Sequence, residues 1–196
     1  RLLRYRVKVV RRNLHRAFPE KSVEELRKIE RDYYAHLGEV VINTIDMANI
    51  SSEDFASRLS VENLAEHRAA TTSRSWVAMM GHYGCWEYFG AYQLHDERAY
   101  MVGVYHPLSN QTFDKFYYDI RSRFGLHPVK MQDVARFAVK HCKGYEGRPV
   151  VYGMIADQRP PREVENQMCD FLGVPTAFYM GSEWLAREFA MPVYFM

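Results

Sequence analysis

Trp76-Val77-Ala78-Met79-Met80-Gly81-His82-Tyr83-Gly84-Cys85-Trp86-Glu87 is the stretch on which the fold turns. Trp76 to Met80 is a short apolar run containing β-formers, which reads as a buried strand. Gly81 and Gly84 bracket a tight turn, and the residues from Cys85 to Leu94 suit a helix. Helical positions five apart point ~140° away from each other. His82 and Glu87 therefore meet only if His82 sits in the turn and Glu87 in the first helical turn, where the helix dipole favours a carboxylate.

Working outward, the pattern predicts strand 76–80, helix 85–94, strand 99–105, helix 110–123, helix 131–141, strand 149–155, helix 181–189 and strand 192–196. Strands alternating with helices imply an α/β fold, a largely parallel central sheet with helices on both faces. The 196 residues make one domain large enough for a sizeable core. Within it, 1–50 is a basic helical part and 75–196 the α/β core. Residues 1–16 carry Arg1, Arg4, Arg6, Lys8, Arg11, Arg12 and Arg16 without an acid, interleaved with apolar residues. That pattern suits an amphipathic helix on an anionic membrane surface. The competing reading is an ordinary helix docked on the core with a solvated basic face. A nucleic-acid partner is disfavoured because no nucleic-acid motif accompanies the charge. Pro19 ends this segment, and Ser22-Val23-Glu24-Glu25 is a capping box opening a second helix to about Ala48. Residues 51–70 are mixed, with a helix from Val61. The chain opens on Arg1 and stops at Met196, in mid-strand by pattern. A longer protein, with room for an upstream membrane anchor, is therefore expected.

Cys85, Cys142 and Cys169 are odd in number and widely spaced, which argues against a disulfide framework and a four-cysteine zinc site, and for a reducing compartment. H-E-x-x-H, G-x-S-x-G and the G-x-x-x-x-G-K-[ST] pattern are absent, so metalloprotease, common serine-hydrolase and P-loop readings lack support. No run of about 18 apolar residues and no signal peptide occurs in the sequence.

Ligands of open α/β sheets bind outside the carboxyl ends of the strands. His82 follows the first strand, His106-Pro107 the second and Asp157-Gln158-Arg159 the third, so all three polar clusters fall on one edge. The expected chemistry is a dyad. Neutral His82 takes a proton from a hydroxyl, and Glu87 bonds the other imidazole nitrogen and fixes its tautomer. Cys85 as a nucleophile is disfavoured, because thiol proteases show local signatures missing here.

Several ordered blocks resemble the lipid A late acyltransferases, the lauroyl and myristoyl transferases of Gram-negative bacteria within the lysophospholipid-acyltransferase-like superfamily. They are Tyr5-Arg6 through Pro19, Gly81-His82 to Trp86-Glu87 as an H-x4-[DE] element, Arg121-Ser122-Arg123-Phe124-Gly125 as R-x-R-x-G, Ile155-Ala156-Asp157-Gln158, and Phe171 through Val193. Cys85 stands where that family often has asparagine, and His106 where an arginine before proline is common. The resemblance implies a glycerolipid-acyltransferase-like fold and an enzyme of the bacterial inner membrane, acting on its cytoplasmic face. It would move an acyl chain from acyl carrier protein to a hydroxyl of a lipid A precursor, with no metal or cofactor. His82 would deprotonate the hydroxyl, Glu87 orient it, and backbone amides near Gly84 form the oxyanion hole. Arg121 or Arg123 would grip an acceptor phosphate while the other pairs with an acid. His106 would bear on phosphate binding, and Asp157 and Gln158 would shape the rim, a structural hydrogen bond being the expected role of Asp157. Lysophospholipid, glycolipid or aminolipid acceptors, an inactive lipid-binding homologue and a leaky hydrolase are the rival readings.

Overall fold

The computed structural model describes residues 5–161 and 166–196. Its centre is a parallel five-stranded sheet of β1 (Trp76–Met80), β2 (Tyr100–Tyr105), β3 (His127–Lys130), β4 (Val150–Ile155) and β7 (Val193–Phe195), in the order β3-β2-β4-β1-β7. All four pairings are parallel. Successive residues of a strand face opposite sides of a sheet, and the core divides accordingly. Val77, Val102, Val150 and Tyr152 join one cluster, while Trp76, Ala78, Met101 and Val151 join the other. Ala138 of α7 (Val134–His141) with Leu185 and Ala186 of α8 (Gly181–Glu188) covers the first face. Leu64 of α4 (Leu64–Thr71) and Tyr92 of α5 (Tyr92–His95) cover the second. With both faces covered, β1 and β4 are apolar throughout rather than alternating, as parallel strands should be.

A third cluster of Met47, Ile50, Phe55, Ile120 and Phe124 fastens the preceding helices to the sheet layer. It joins the end of α2 (Val23–Asp46) and α3 (Ser52–Ser57) to α6 (Gln111–Ser122) and its C-terminal flank. The capping box is formed. Ser22 Oγ accepts from the Glu25 N–H at 3.3 Å, and the Glu25 carboxylate accepts from the Ser22 N–H at 2.8 Å. Such a cap contributes about 1 kcal/mol.

The basic segment becomes α1 (Val7–Ala17), and its apolar stripe is half-buried where it packs on α2. Arg11 grips Glu30 through two nitrogens at 2.8 and 3.0 Å, and the Tyr34 hydroxyl donates to the Tyr5 carbonyl at 2.6 Å. The docked arrangement thus holds for the apolar face, leaving Lys8, Arg12 and Arg16 outward. Exposed apolar surface lies instead on α2, at Val41, Ile42 and Ile45. Among the described residues, no helix is long and apolar enough to cross a membrane.

Three features depart from the pattern. The helix expected over 85–94 is a 3₁₀ segment, Trp86–Ala91, leading into α5. β3 was not foreseen: Pro128 disfavours a strand, and here the strand lies on the sheet edge, where proline is tolerated. The third departure is an antiparallel hairpin, β5 (Asn166–Phe171) and β6 (Val174–Tyr179), standing apart from the sheet. It turns through Leu172 and Gly173, at φ 53° and 69°. Positive φ at both central residues matches the right-handed strand twist, and glycine supplies it without strain.

Candidate active site at the carboxyl edge of the sheet

β1 and β4 are neighbours in register, ending on the pair Met80 and Ile155. The Ala156 N–H donates to the Met80 carbonyl at 3.0 Å, carrying the ladder one step further. Residues two beyond each strand end, His82 and Asp157, therefore leave the sheet side by side. The His82 backbone N–H donates to Asp157 Oδ2 at 2.7 Å, and its Nδ1 lies 2.7 Å from Oδ1. One carboxylate thus fixes both the backbone and the ring of the same residue. A side chain at Gly81 would put a Cβ 3.2 Å from Asp157 Oδ2, so glycine leaves the space this pair needs.

A carboxylate only accepts, which assigns a proton to Nδ1 and, in the neutral ring, leaves the lone pair on Nε2. Gln158 Nε2, a donor, sits 3.3 Å from His82 Nε2, consistent with that tautomer. The Trp86 ring packs edge-on against the imidazole at 4.8 Å between centroids. The His82 side chain is 31% exposed and that of Asp157 43%. Ion pairs so open add little stability; what this one supplies is orientation.

The expected bond from Glu87 to His82 is not what the structure shows. Glu87 lies inside the 3₁₀ segment and is claimed by Arg121 in the last turn of α6. Arg121 Nε donates to Glu87 Oε2 at 2.8 Å, and Nη2 donates to Oε1. The guanidinium also lies over Tyr117 and Tyr105, 5.1 and 5.9 Å from the ring centroids. Burial pulls the Arg121 pKa down, but the hydrogen bonds and charge of Glu87 outweigh it, and the net shift is upward. A planar fork meeting a carboxylate in a largely buried place out-competes a single imidazole N–H.

Arg121 is thus the arginine that pairs with an acid. Arg123 is also engaged internally, its Nη1 donating to the Met47 and Ile50 carbonyls at 2.9 and 2.6 Å just past α2. There it satisfies the Met47 carbonyl, which the end of α2 leaves without a helical partner, and a loop carbonyl before α3. His106 stands on the same edge beyond β2, exposed, with Nδ1 2.9 Å from the Pro107 carbonyl. Gly84 adopts φ 57° in the turn below His82. Cys85 Sγ accepts from Asn43 Nδ2 at 3.0 Å, tying α2 to that turn. Sequence reasoning missed Asn43 and Trp86. For Trp86 the signal was its place four residues after His82; nothing marked Asn43. Among the described residues, no group of three or more His, Cys, Asp or Glu side chains forms a metal-binding set.

A histidine held by a carboxylate at the carboxyl edge of a parallel sheet, open to solvent, is the arrangement of an α/β enzyme of acid–base type. The chain belongs to the bacterial lipid A biosynthesis acyltransferases, whose family model matches residues 1–195. Membership supports an acyltransferase acting on a lipid A-like acceptor. No curated protein matches the sequence.

Proposed function

We propose that this chain transfers a fatty acyl group from acyl carrier protein to a hydroxyl of a lipid A precursor at a membrane surface, with His82 as general base. The observation that carries this reading is the His82–Asp157 pair, which turns Nδ1 to the carboxylate and, in the neutral ring, leaves the Nε2 lone pair for a substrate at an open rim. Nε2 takes the acceptor hydroxyl proton as the oxygen attacks the thioester carbonyl. Asp157 stabilises the imidazolium that forms. When the intermediate collapses the C–S bond breaks, and the leaving thiolate recovers the proton from His82. Backbone amides of the Gly84 turn are candidates for the oxyanion, where each donor is typically worth about 3–4 kcal/mol. Glu87 and Arg121 act one layer below, as a charged strut that keeps the 3₁₀ segment against α6.

The outward cations of α1 and the exposed Val41, Ile42 and Ile45 of α2 support membrane association, since together they offer charge to anionic headgroups and apolar surface to lipid. The test is acyl transfer by the protein in membranes, with acyl carrier proteins loaded with chains of different length, a lipid A precursor as acceptor and the product weighed by mass spectrometry. Gain of one acyl chain, lost in His82→Ala, is expected. Transfer only to extracted phospholipid or aminolipid would overturn the acceptor and keep the base. No transfer to any acceptor would overturn the reading as a whole.

A further inference from the structure

A cleft of about 440 Å³ opens at the carboxyl ends of β2 and β3, beneath one face of α6. Tyr105 and Lys130, paired across the two strands, form one wall. Gln111, Asp114, Lys115, Tyr118 and Asp119 form the other. The spacing of these α6 residues, i, i+3, i+4, i+7 and i+8, places them on a single helix face.

Much of the charge in this cleft is already used. Lys115 Nζ pairs with Asp119 Oδ2 at 2.6 Å, and Asp114 Oδ1 accepts from the Leu108 N–H at 2.8 Å. Lys130, the Gln111 amide and the hydroxyls of Tyr105 and Tyr118 have no hydrogen-bonding partner among the described residues. Beside the Asp114 carboxylate, which a backbone N–H holds by one oxygen, the cleft therefore offers a ligand one unpaired cation, an amide and two phenols on aromatic rings. Aromatic rings suit the C–H faces of a sugar, amide and phenol suit its hydroxyls, and a lysine is a point charge for a phosphate. Of Arg121 and Arg123, one of which was expected to grip a phosphate, Arg121 is paired with Glu87 and Arg123 Nη1 is turned to the Met47 and Ile50 carbonyls.

Position supports the same assignment. Neighbouring strands lie about 4.8 Å apart, so the β2–β3 edge is roughly 10–15 Å from β1 and His82. An acceptor that carries its reactive hydroxyl on an acyl branch needs this separation between headgroup and base. Arg121 packs against Tyr105 on one side and holds Glu87, the neighbour of Trp86, on the other. The cleft and the histidine thus share one rigid floor.

We infer that this cleft is the headgroup subsite of the acceptor, taking a phosphorylated sugar with Lys130 on the phosphate and Tyr105 and Tyr118 against the ring. The inference rests on the reading of a lipid A-like acceptor given above. Steady-state transfer in membranes tests it with Lys130→Ala, Tyr118→Ala and Lys130→Arg, on a phosphorylated acceptor and on the same acceptor after phosphatase treatment. Lys130→Ala and Tyr118→Ala should each raise the acceptor KM roughly ten-fold, the loss of one charge-assisted or stacking contact. The KM for the acyl carrier protein donor and kcat should change less than about two-fold, and Lys130→Arg should recover most of the loss. The Lys130→Ala defect should vanish on the dephosphorylated acceptor, while the Tyr118→Ala defect persists. An unchanged acceptor KM in both alanine variants, with normal wild-type transfer, would overturn the subsite and leave the general function standing. A defect that fell equally on donor and acceptor would also overturn it. Failure of the wild type to acylate any sugar acceptor would remove the proposed function and the subsite together.

Discussion

The two ends of the central sheet use the same strands for opposite purposes. At the amino edge, Trp76 is fully buried, and the His67 ring lies 4.6 Å from the rings of both Trp76 and Tyr194. Ser75 Oγ accepts from the Val150 N–H at 2.9 Å, and Asp96, 3% exposed, is clasped by Arg98. Polar groups there are consumed or shut in. At the carboxyl edge, His82, Asp157 and Gln158 face solvent, and beside them Tyr83 is 92% exposed. Groups closed off at one end hold the sheet together; groups left open at the other remain available for chemistry.

Substitutions should separate the two ends. The largest expected effect is on activity: His82→Ala should lower acyl transfer about 10³-fold or more, within the reach of a general base, while the melting temperature stays unchanged. Trp76→Ala should do the reverse. It should cost about 3–5 kcal/mol of stability in a denaturant titration, as large-to-small core changes do, with turnover per folded molecule retained. Arg121→Ala should break the symmetry by failing on both counts. A buried charge left without its partner costs about 3–5 kcal/mol, and the 3₁₀ segment loses its hold on α6. A smaller effect, about 10²-fold in kcat, the low end of what positioned acid–base groups contribute, is expected for Asp157→Asn, which keeps the shape but no longer stabilises the imidazolium. Equal losses in Glu87→Gln and Asp157→Asn, without destabilisation of the former, would restore Glu87 as the partner of His82.

The smallest effect is on pH dependence and belongs to the closed groups. Burial lowers the pKa of His67 below 6.5, partly offset by Asp96, and burial alone lowers that of His127. Each histidine is then protonated more readily in the unfolded chain, so stability is fully present above pH 6.5 and falls as pH drops below it. For Asp96, burial pushes the pKa up, but the hydrogen bonds and charge of Arg98 outweigh this and the net shift is downward. Its contribution is present above the ordinary carboxylate range and is lost as pH falls through its lowered value. Melting curves from pH 7 to 3 should therefore show a shallow loss below 6.5 and a second, more acid one. His127→Phe should flatten the first.

Much of the sheet was legible because buried parallel strands are short apolar runs between turn residues. β1 appears over the very residues that the pattern marks, and β2 and β4 within one residue of their expected starts. β3 and the hairpin were hidden by chemistry rather than length. Pro128 masks an edge strand, and Leu172-Gly173 makes a turn more often announced by asparagine or aspartate before the glycine. At the site, His82 and Asp157 were both placed on the right edge, but their partnership was not readable. It depends on β4 lying beside β1 although β2 and β3 come between them in sequence, and strand order is a property of the assembled sheet. The bond of Glu87 to Arg121 was equally hidden, because the guanidinium comes from 34 residues away.

The 75-residue span between His82 and Asp157 also has a kinetic meaning. Contacts between segments so distant form late, after the entropy of closing the long loop between them has been overcome. The helical N-terminal part can gain its contacts locally, whereas His82 acquires its carboxylate only when β4 slots in between β2 and β1. On refolding, recovery of acyl transfer should lag behind recovery of helix signal. A chain emerging from the ribosome stays chemically silent until its central strand is in place.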